Sequence, residues 1–206
     1  MSKKPIIVFE GIEGSGKSHH ISIISKYLDR KKIKYIKIRE PGGNLNSEKI
    51  RKLILNKNNN FNNNTDLLLY MAARSENITN IKKYYKKRII LIDRFTDSTI
   101  AYQHFGMGID LSLIKSINNF LLKDIKVNFT FLHTVNKRNL FLRLKERKSL
   151  NRYDKFNYQF YAKVQKGFLK LSKLQKKLYL VVDSNFEIKK NEKIILEKIM
   201  ELIKWI

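Results

Sequence analysis

A chain of 206 residues that is 43% apolar can bury the core of one compact domain, residues 1–206, and is short for two. Zero cysteines exclude disulfides, thiolate catalysis and cysteine-bound zinc, and no run of 18 apolar residues is present to form a membrane helix. The apolar run after Met1-Ser2-Lys3-Lys4 is too short for a secretory leader, so the expectation is a cytoplasmic protein without a membrane partner.

The formal charge of +25 has two readings. One is a surface for nucleic acid. The other is compositional drift of the kind an AT-rich coding sequence produces. The lysines are scattered, and Asn58-Asn59-Asn60 and Asn62-Asn63-Asn64 carry the same bias. Drift is the expectation, with no specific nucleic-acid partner, because net charge speaks to association and not to fold.

Five β-rich runs alternate with segments of helical period. They are Ile6-Ile7-Val8-Phe9, Tyr35-Ile36-Lys37-Ile38, Ile89-Ile90-Leu91-Ile92, Phe129-Thr130-Phe131-Leu132 and Leu178-Tyr179-Leu180-Val181-Val182. Helical stretches such as Ser18 to Arg30 and Asp110 to Leu122 lie between them. Such alternation predicts an α/β fold, a parallel sheet with helices on both faces and ligands beyond the carboxyl ends of the strands. Asn56 to Asn64 reads as a surface loop between two helices, and residues 143–157, dense in charge, as a mobile lid.

After the first strand, Gly11-Ile12-Glu13-Gly14-Ser15-Gly16-Lys17-Ser18 matches G-x-x-x-x-G-K-[ST] in full. Glycines let backbone N–H groups curl around phosphates at a helix N-terminus. The lysine reaches the β- and γ-phosphates and the Ser18 hydroxyl ligates Mg²⁺. Asp93-Arg94 closes the third run, where an aspartate can hold the water shell of Mg²⁺ and an arginine can bridge two phosphates; alone, the pair reads equally as a strand-end turn. Arg39-Glu40-Pro41-Gly42-Gly43 after the second run, with Arg51 beyond it, reads as a second phosphate loop or as an ordinary turn. Tyr70 and Arg74 share a helix face and can stack on a base and bond its carbonyl oxygen, or be a core tyrosine beside a snorkelling arginine. Thr99, Tyr102 and Gln103 follow Asp93 by one and two helical turns. Arg143, Lys145, Arg147, Lys148 and Arg152 crowd the lid, as a catalytic cluster or a solvated charge run. His19, His20, His104 and His133 show no metal-ligand spacing with nearby acids.

Together these segments resemble the thymidylate kinase family from about Ile6 to the C-terminal helix. The likeness rests on Phe9-Glu10-Gly11 with the P-loop, Arg39-Glu40-Pro41-Gly42-Gly43, Tyr70-x-x-x-Arg74, Asp93-Arg94-Phe95, Ala101-Tyr102-Gln103, the basic lid and Val182-Asp183. The resemblance implies a three-layer P-loop NTPase fold with a five-stranded parallel sheet, in-line transfer of phosphate from Mg²⁺-ATP to dTMP, and a homodimer. It gives the ATP site to Gly11, Glu13, Gly14, Ser15, Gly16, Lys17, Ser18 and His19, with Arg143 and Asp183, and the metal to Ser18 and Asp93. Glu13 approaches the sugar 3'-OH, and Arg51 and Arg94 clamp the dTMP phosphate. Tyr70 stacks on thymine, Arg74 bonds O4, and Thr99, Tyr102 and Gln103 with Glu40 and Pro41 complete the acceptor pocket. Tyr102 disfavours ribose. Because Glu13-Gly14 holds no arginine and the lid is basic, the chain is similar to the bacterial class, with Lys17, Arg94, Arg147 and Arg152 as catalytic residues. It departs from the family at His19, where Thr or Ser is usual, at His133, where Asp is usual, and at Gln159, where an acid is common. The rival readings are a related P-loop kinase for another deoxynucleotide or a deoxynucleoside and, more distantly, a nucleic-acid-binding P-loop protein.

Overall fold

The first, third and last β-rich runs are nearly all apolar, as strands covered by helices on both faces must be. The strands are β1 (Ile6–Gly11), β2 (Tyr35–Arg39), β3 (Ile89–Asp93), β4 (Phe129–Thr134) and β5 (Tyr179–Asp183). In the computed structural model, which describes residues 4–146 and 151–204, they make one parallel sheet in the order β2-β3-β1-β4-β5. The helices are α1 (Lys17–Arg30), α2 (Leu45–Leu55), α3 (Asn63–Tyr84), α4 (Thr96–Thr99), α5 (Leu111–Leu122), α6 (Lys137–Lys145), α7 (Tyr158–Leu174) and α8 (Ile188–Ile203). A π-helical segment, Ile100–Gly106, continues α4 directly.

Alternation along β1 divides the core. Ile7 and Phe9 face α1 and α8, meeting Ile24, Leu28, Ile195 and Ile199, while Phe9 stacks on Phe131 with centroids 5.2 Å apart. Ile6 and Val8 face the other way, toward Ile78 and Ile81 of α3. At the carboxyl end of the sheet, α6 and α7 pack Leu140, Tyr161, Val164 and Phe168 around Tyr102 and Leu132.

Each strand runs past the apolar run that marks it, because loop amides continue the ladder. The Arg94 amide donates to the Phe9 carbonyl at 3.0 Å, and the Glu40 amide to the Asp93 carbonyl at 2.9 Å. These extensions carry Gly11, Arg39, Asp93 and Asp183 to one edge.

Two boundaries differ from the sequence reading. The Asn-rich loop stops at Asn62, whose side chain accepts from the Thr65 amide and starts α3, so Asn63 and Asn64 are helical. The segment 143–157 is only partly a loop. Arg143 and Lys145 end α6, and Arg152–Lys155 form a 3₁₀ turn in which Asn151 accepts from the Tyr153 amide and Asp154 accepts from the Asn151 amide, both at 2.8 Å. Tyr153 is the apolar anchor of that turn, at 2% exposure. Arg147 and Lys148 lie outside the described residues.

The π-helical segment reaches its place because α7 has a glycine opposite it. A Cβ at Gly167 would lie 2.4 Å from Cδ2 and 2.9 Å from Cβ of Phe105, neither of them the free end of a flexible chain. Alanine is favoured over glycine inside a helix by about 1 kcal/mol, whereas forcing a methyl into a filled core costs about 1–3 kcal/mol. Gly167→Ala should therefore destabilise the protein, read as a lower denaturant midpoint at unchanged m-value; a rise in midpoint would contradict this packing.

Candidate active site

The loop between β1 and α1 is built on glycines whose conformations and surroundings exclude side chains. Gly11 has φ +139°, and a Cβ there would stand 2.3 Å from the His133 carbonyl oxygen. Gly16 has φ +88° and precedes the first turn of α1, whose free amides form an anion-binding end. Lys17 is 6% exposed, and its Nζ donates to the carbonyls of Gly11 at 2.9 Å and Ile12 at 2.8 Å and to Ser15 Oγ at 3.2 Å. Burial, with Arg94 close by, lowers the Lys17 pKa to about 7 against the opposing pull of Asp93, Glu13 and Glu10. Ser18 Oγ donates to Asp93 Oδ2 at 3.4 Å, which places a hydroxyl and a carboxylate side by side at the sheet edge.

Arg94 crosses from β3 to this loop. Its backbone is left-handed, φ +65°, and its guanidinium donates to the Gly11 carbonyl and to Glu13 Oε1, each at 2.8 Å. Glu13 also accepts from the Tyr102 hydroxyl. Burial alone would raise the Glu13 carboxyl, but Arg94 and then Lys17 hold it below the usual carboxylate range. Glu10, fully buried in β1, fastens the turn that carries Arg94. Its Oε1 accepts from the amides of Phe95 at 2.8 Å and Ser98 at 3.2 Å, and its Oε2 from Ser98 Oγ at 2.5 Å. Burial and the neighbouring Asp97 push the Glu10 pKa up to about 7.

A second pocket adjoins the loop. Tyr70 and Arg74 come from successive turns of α3, as their spacing requires. Arg74 is 2% exposed and is not a snorkelling surface residue. Its Nε donates to Glu40 Oε2 at 2.8 Å, its Nη1 to Asn118 Oδ1 at 2.7 Å and its Nη2 to Thr99 Oγ1 at 3.0 Å, with the Phe95 ring 5.2 Å from the guanidinium. Arg51 donates to the Pro41 carbonyl at 2.6 Å.

One cavity of about 380 Å³ joins the two regions, a volume suited to a small-molecule ligand. Of the residues singled out in the sequence, the loop from Glu13 to His19, Glu40, Pro41, Arg51, Tyr70, Arg74, Asp93, Arg94, Thr99, Tyr102 and Gln103 line it. Others are elsewhere. Arg143 grips the outside of the loop through the carbonyls of Gly14 at 2.8 Å and Ser184 at 2.7 Å. Asp183 ends β5 and accepts from the Asn185 amide at 3.0 Å. Arg152 is not on the wall; its guanidinium lies on Asp66. Arg147 falls outside the described residues. Among the histidines, half-exposed His19 meets Glu192 at 2.8 Å, while His20 and His133 are buried together, ring nitrogens 3.0 Å apart. No group of three or more His, Cys, Asp or Glu positioned to hold a metal is present among the described residues.

Sequence reasoning missed Glu10, Asn118 and Tyr153. Glu10 did carry a signal, a single acid inside a wholly apolar strand; Asn118 and Tyr153 carried none, because their roles depend on partners 44 residues away (Arg74) and 87 residues away (Asp66).

The Glu10 shift has a definite sign. Its folded pKa, about 7, lies above the ordinary 4.5. Below pH 4.5 the group is protonated in both states, and between 4.5 and 7 the unfolded chain releases the proton first, so stability falls as pH rises through that window. Glu10→Gln keeps an acceptor for the two amides and removes the titration. The difference in unfolding free energy between wild type and this variant should decline with pH from 4.5 to 7, by at most about 1.4 kcal/mol per pH unit. His20 and His133, with pKa values lowered by burial to about 4 and about 3, titrate alike in both proteins, so a flat difference would contradict the assignment.

The comparisons with known proteins point the same way. The family described as Thymidylate kinase matches residues 9–195. The thymidylate kinase of Thermosipho africanus is 38% identical over 85% of this chain and 88% of its own, and that of Mycoplasma capricolum is 37% identical over 95% and 96%. A crystal structure of thymidylate kinase from Ehrlichia chaffeensis superposes with a TM-score of 0.77 at 29% identity, covering 97% of this chain and 99% of that one. With a phosphate loop, a bridging arginine and a second pocket in one cavity, and with likeness over nearly its whole length, the chain belongs to the thymidylate kinase family.

Proposed function

We propose that this enzyme transfers the γ-phosphate of ATP to dTMP, giving dTDP and ADP, without a covalent enzyme intermediate. An oxygen of the dTMP phosphate attacks the γ-phosphorus in line, and the bond from that phosphorus to the β,γ-bridging oxygen breaks, leaving ADP. The observation that carries this reading is Arg94, which touches the phosphate loop through Gly11 and Glu13 and lines the same cavity as Tyr70 and Arg74. A cation at the junction of two nucleotide pockets suits the charge that builds up between donor and acceptor phosphates.

Lys17 and the amides of Gly14 to Ser18 are the ATP-phosphate ligands in this proposal, with His19, Arg143 and Asp183 on the donor side. Mg²⁺ keeps several waters and takes few protein oxygens, so the Ser18 hydroxyl and the Asp93 carboxylate fit it without a larger acidic cluster. When bound, Mg²⁺ neutralises phosphate charge. Arg51 and Arg94 hold the acceptor phosphate, Glu13 and Tyr102 the sugar, and Tyr70, Arg74, Thr99 and Gln103 the base, closed by Glu40 and Pro41. Arg147 and Arg152 are the two candidates for a lid cation that acts on the transferring phosphate. Cytoplasmic location and a homodimer belong to the same proposal; no helix among the described residues is long and apolar enough to cross a membrane.

Lys17→Ala should lower kcat by about 10²-fold or more while the protein stays folded. Near-normal turnover in a coupled ADP-release assay would remove the loop from the reaction.

Base choice gives a second test. A guanidinium offers only donors, and the partners of Arg74 on this wall include the oxygens of Glu40, Thr99 and Asn118. Thymine and uracil present an acceptor at position 4, whereas cytosine presents an amino donor that would leave a buried donor unmatched. The 5-methyl group alone separates dTMP from dUMP by about 10–200-fold. The expected order of kcat/KM is dTMP, then dUMP, with dCMP far below. Equal turnover of dCMP would replace this pocket assignment with a kinase for another deoxynucleotide.

A further inference from the structure

Asp66 is a buried carboxylate to which the proposed reaction gives no role. It lies in the first turn of α3, four residues before Tyr70 and eight before Arg74, so the three side chains form one stripe down a single helix face. Tyr70 and Arg74 line the cavity. Asp66 is 2% exposed and points instead at the segment returning from the lid. Its Oδ1 accepts from Arg152 Nη2 and its Oδ2 from the Tyr153 hydroxyl, and Gln103 Nε2 approaches the same Oδ2 at 3.4 Å.

The groups that meet Asp66 hold the roof of the cavity. Tyr153 lines it and presents its ring edge-on to both Tyr70 and Tyr102, at centroid distances of 6.0 and 5.9 Å. Its carbonyl accepts from the Tyr161 hydroxyl at 2.7 Å, which ties the backbone of the turn to α7. Arg152 is enclosed by Asp66, the Phe61 ring at 5.5 Å and the Tyr153 ring at 5.2 Å. Its Nη2 also lies 3.5 Å from the Tyr153 hydroxyl, and the residue is absent from the cavity wall that Lys17 lines.

We propose that Asp66 is a positioning residue that docks the returning lid segment onto α3 through Arg152 and Tyr153, and so sets Tyr153 as the roof of the nucleoside half of the cavity. Arg152 then acts through Asp66 and not on the transferring phosphate. This inference rests on the reading of the cavity as the dTMP site. Its kinetic mark is a weaker hold on dTMP with the phosphoryl-transfer step little changed, because the roof packs edge-on against Tyr70, the ring that this reading stacks on the base.

The test is steady-state kinetics of Asp66→Asn, Arg152→Gln, the pair combined, and Tyr153→Phe, with thermal melts and amide hydrogen exchange over residues 151–157. Asp66→Asn and Arg152→Gln should each raise KM for dTMP by about tenfold with kcat changed less than about threefold. The combined variant should resemble either single one, because the two groups work as a unit. Tyr153→Phe keeps the ring, loses the hydroxyl bond and should show a smaller rise in KM; it also serves if Asp66→Asn does not fold. Exchange over 151–157 should quicken in Asp66→Asn with or without nucleotide. A loss of kcat of about 10²-fold in Arg152→Gln, whatever stands at position 66, would make Arg152 catalytic and overturn the proposal. Additive effects, or an unchanged KM with unchanged exchange, would overturn it too. A wild-type enzyme that turns over no dTMP would sink the substrate reading instead, and the exchange measurement, which needs no substrate, would still decide the docking.

Discussion

The ion pair between Arg94 and Glu13, 2.8 Å long, is the contact on which the site depends. It joins the end of β3 to the phosphate loop after β1, and through the Tyr102 hydroxyl it draws in the π-helical segment as well. Arg94 can reach only because its backbone takes a left-handed turn, and that turn persists because Glu10 accepts from the two amides beyond it. Three separate segments of chain thus converge on one guanidinium, which itself donates to Gly11 and so braces the loop from inside.

Low polarity around these charges sets their behaviour. Lys17, Glu10, Glu40 and Arg74 are each less than 7% exposed, and a buried charge persists only where other charges or hydrogen bonds replace water. The Glu40–Arg74 pair, at 2.7 Å, is such a replacement, and Asn118 and Thr99 accept from the remaining guanidinium donors. Lys17 is less well compensated. Three acceptors from its own loop surround it, yet burial still lowers its pKa to about 7. Bound phosphate oxygens would restore the cation, so binding of the nucleotide and charging of the lysine reinforce one another. Burial acts the same way on His20 and His133, whose ring nitrogens meet 3.0 Å apart behind the loop with pKa values lowered to about 4 and about 3.

Few of the positive charges line the cavity. The cations lining the cavity are engaged with carbonyls or acids: Lys17 with its loop, Arg39 with Glu48, Arg51 with Pro41, Arg74 with Glu40, Arg94 with Glu13. Most of the 43 basic residues lie elsewhere in the chain. Net charge of this kind bears on association and on the field around the molecule, whereas the geometry of the cavity is set by the few cations with partners there.

The sequence by itself determined the strands, their parallel pairing and the phosphate loop, because these follow from local facts. Apolar residues on both faces of Ile6 to Phe9 demand a covered strand, and the loop glycines demand backbone that no other residue adopts easily. The four-residue spacing of Tyr70 and Arg74 likewise required a shared helix face. Local pattern did not reveal which polar residue would find which partner. Nothing local showed that the turn after β3 would donate to Glu10, or that Asn118 of α5 would accept from Arg74. The clearest case is the lid. Arg143 and Arg152 belong to one basic run, yet Arg143 holds the outside of the phosphate loop and Arg152 lies on Asp66, 86 residues earlier in the chain. Charge and spacing are properties of a segment, whereas the partner of a buried charge is set by what the tertiary structure brings within hydrogen-bond reach, so only the fold could separate a cation that holds the phosphate loop from one that lies on Asp66.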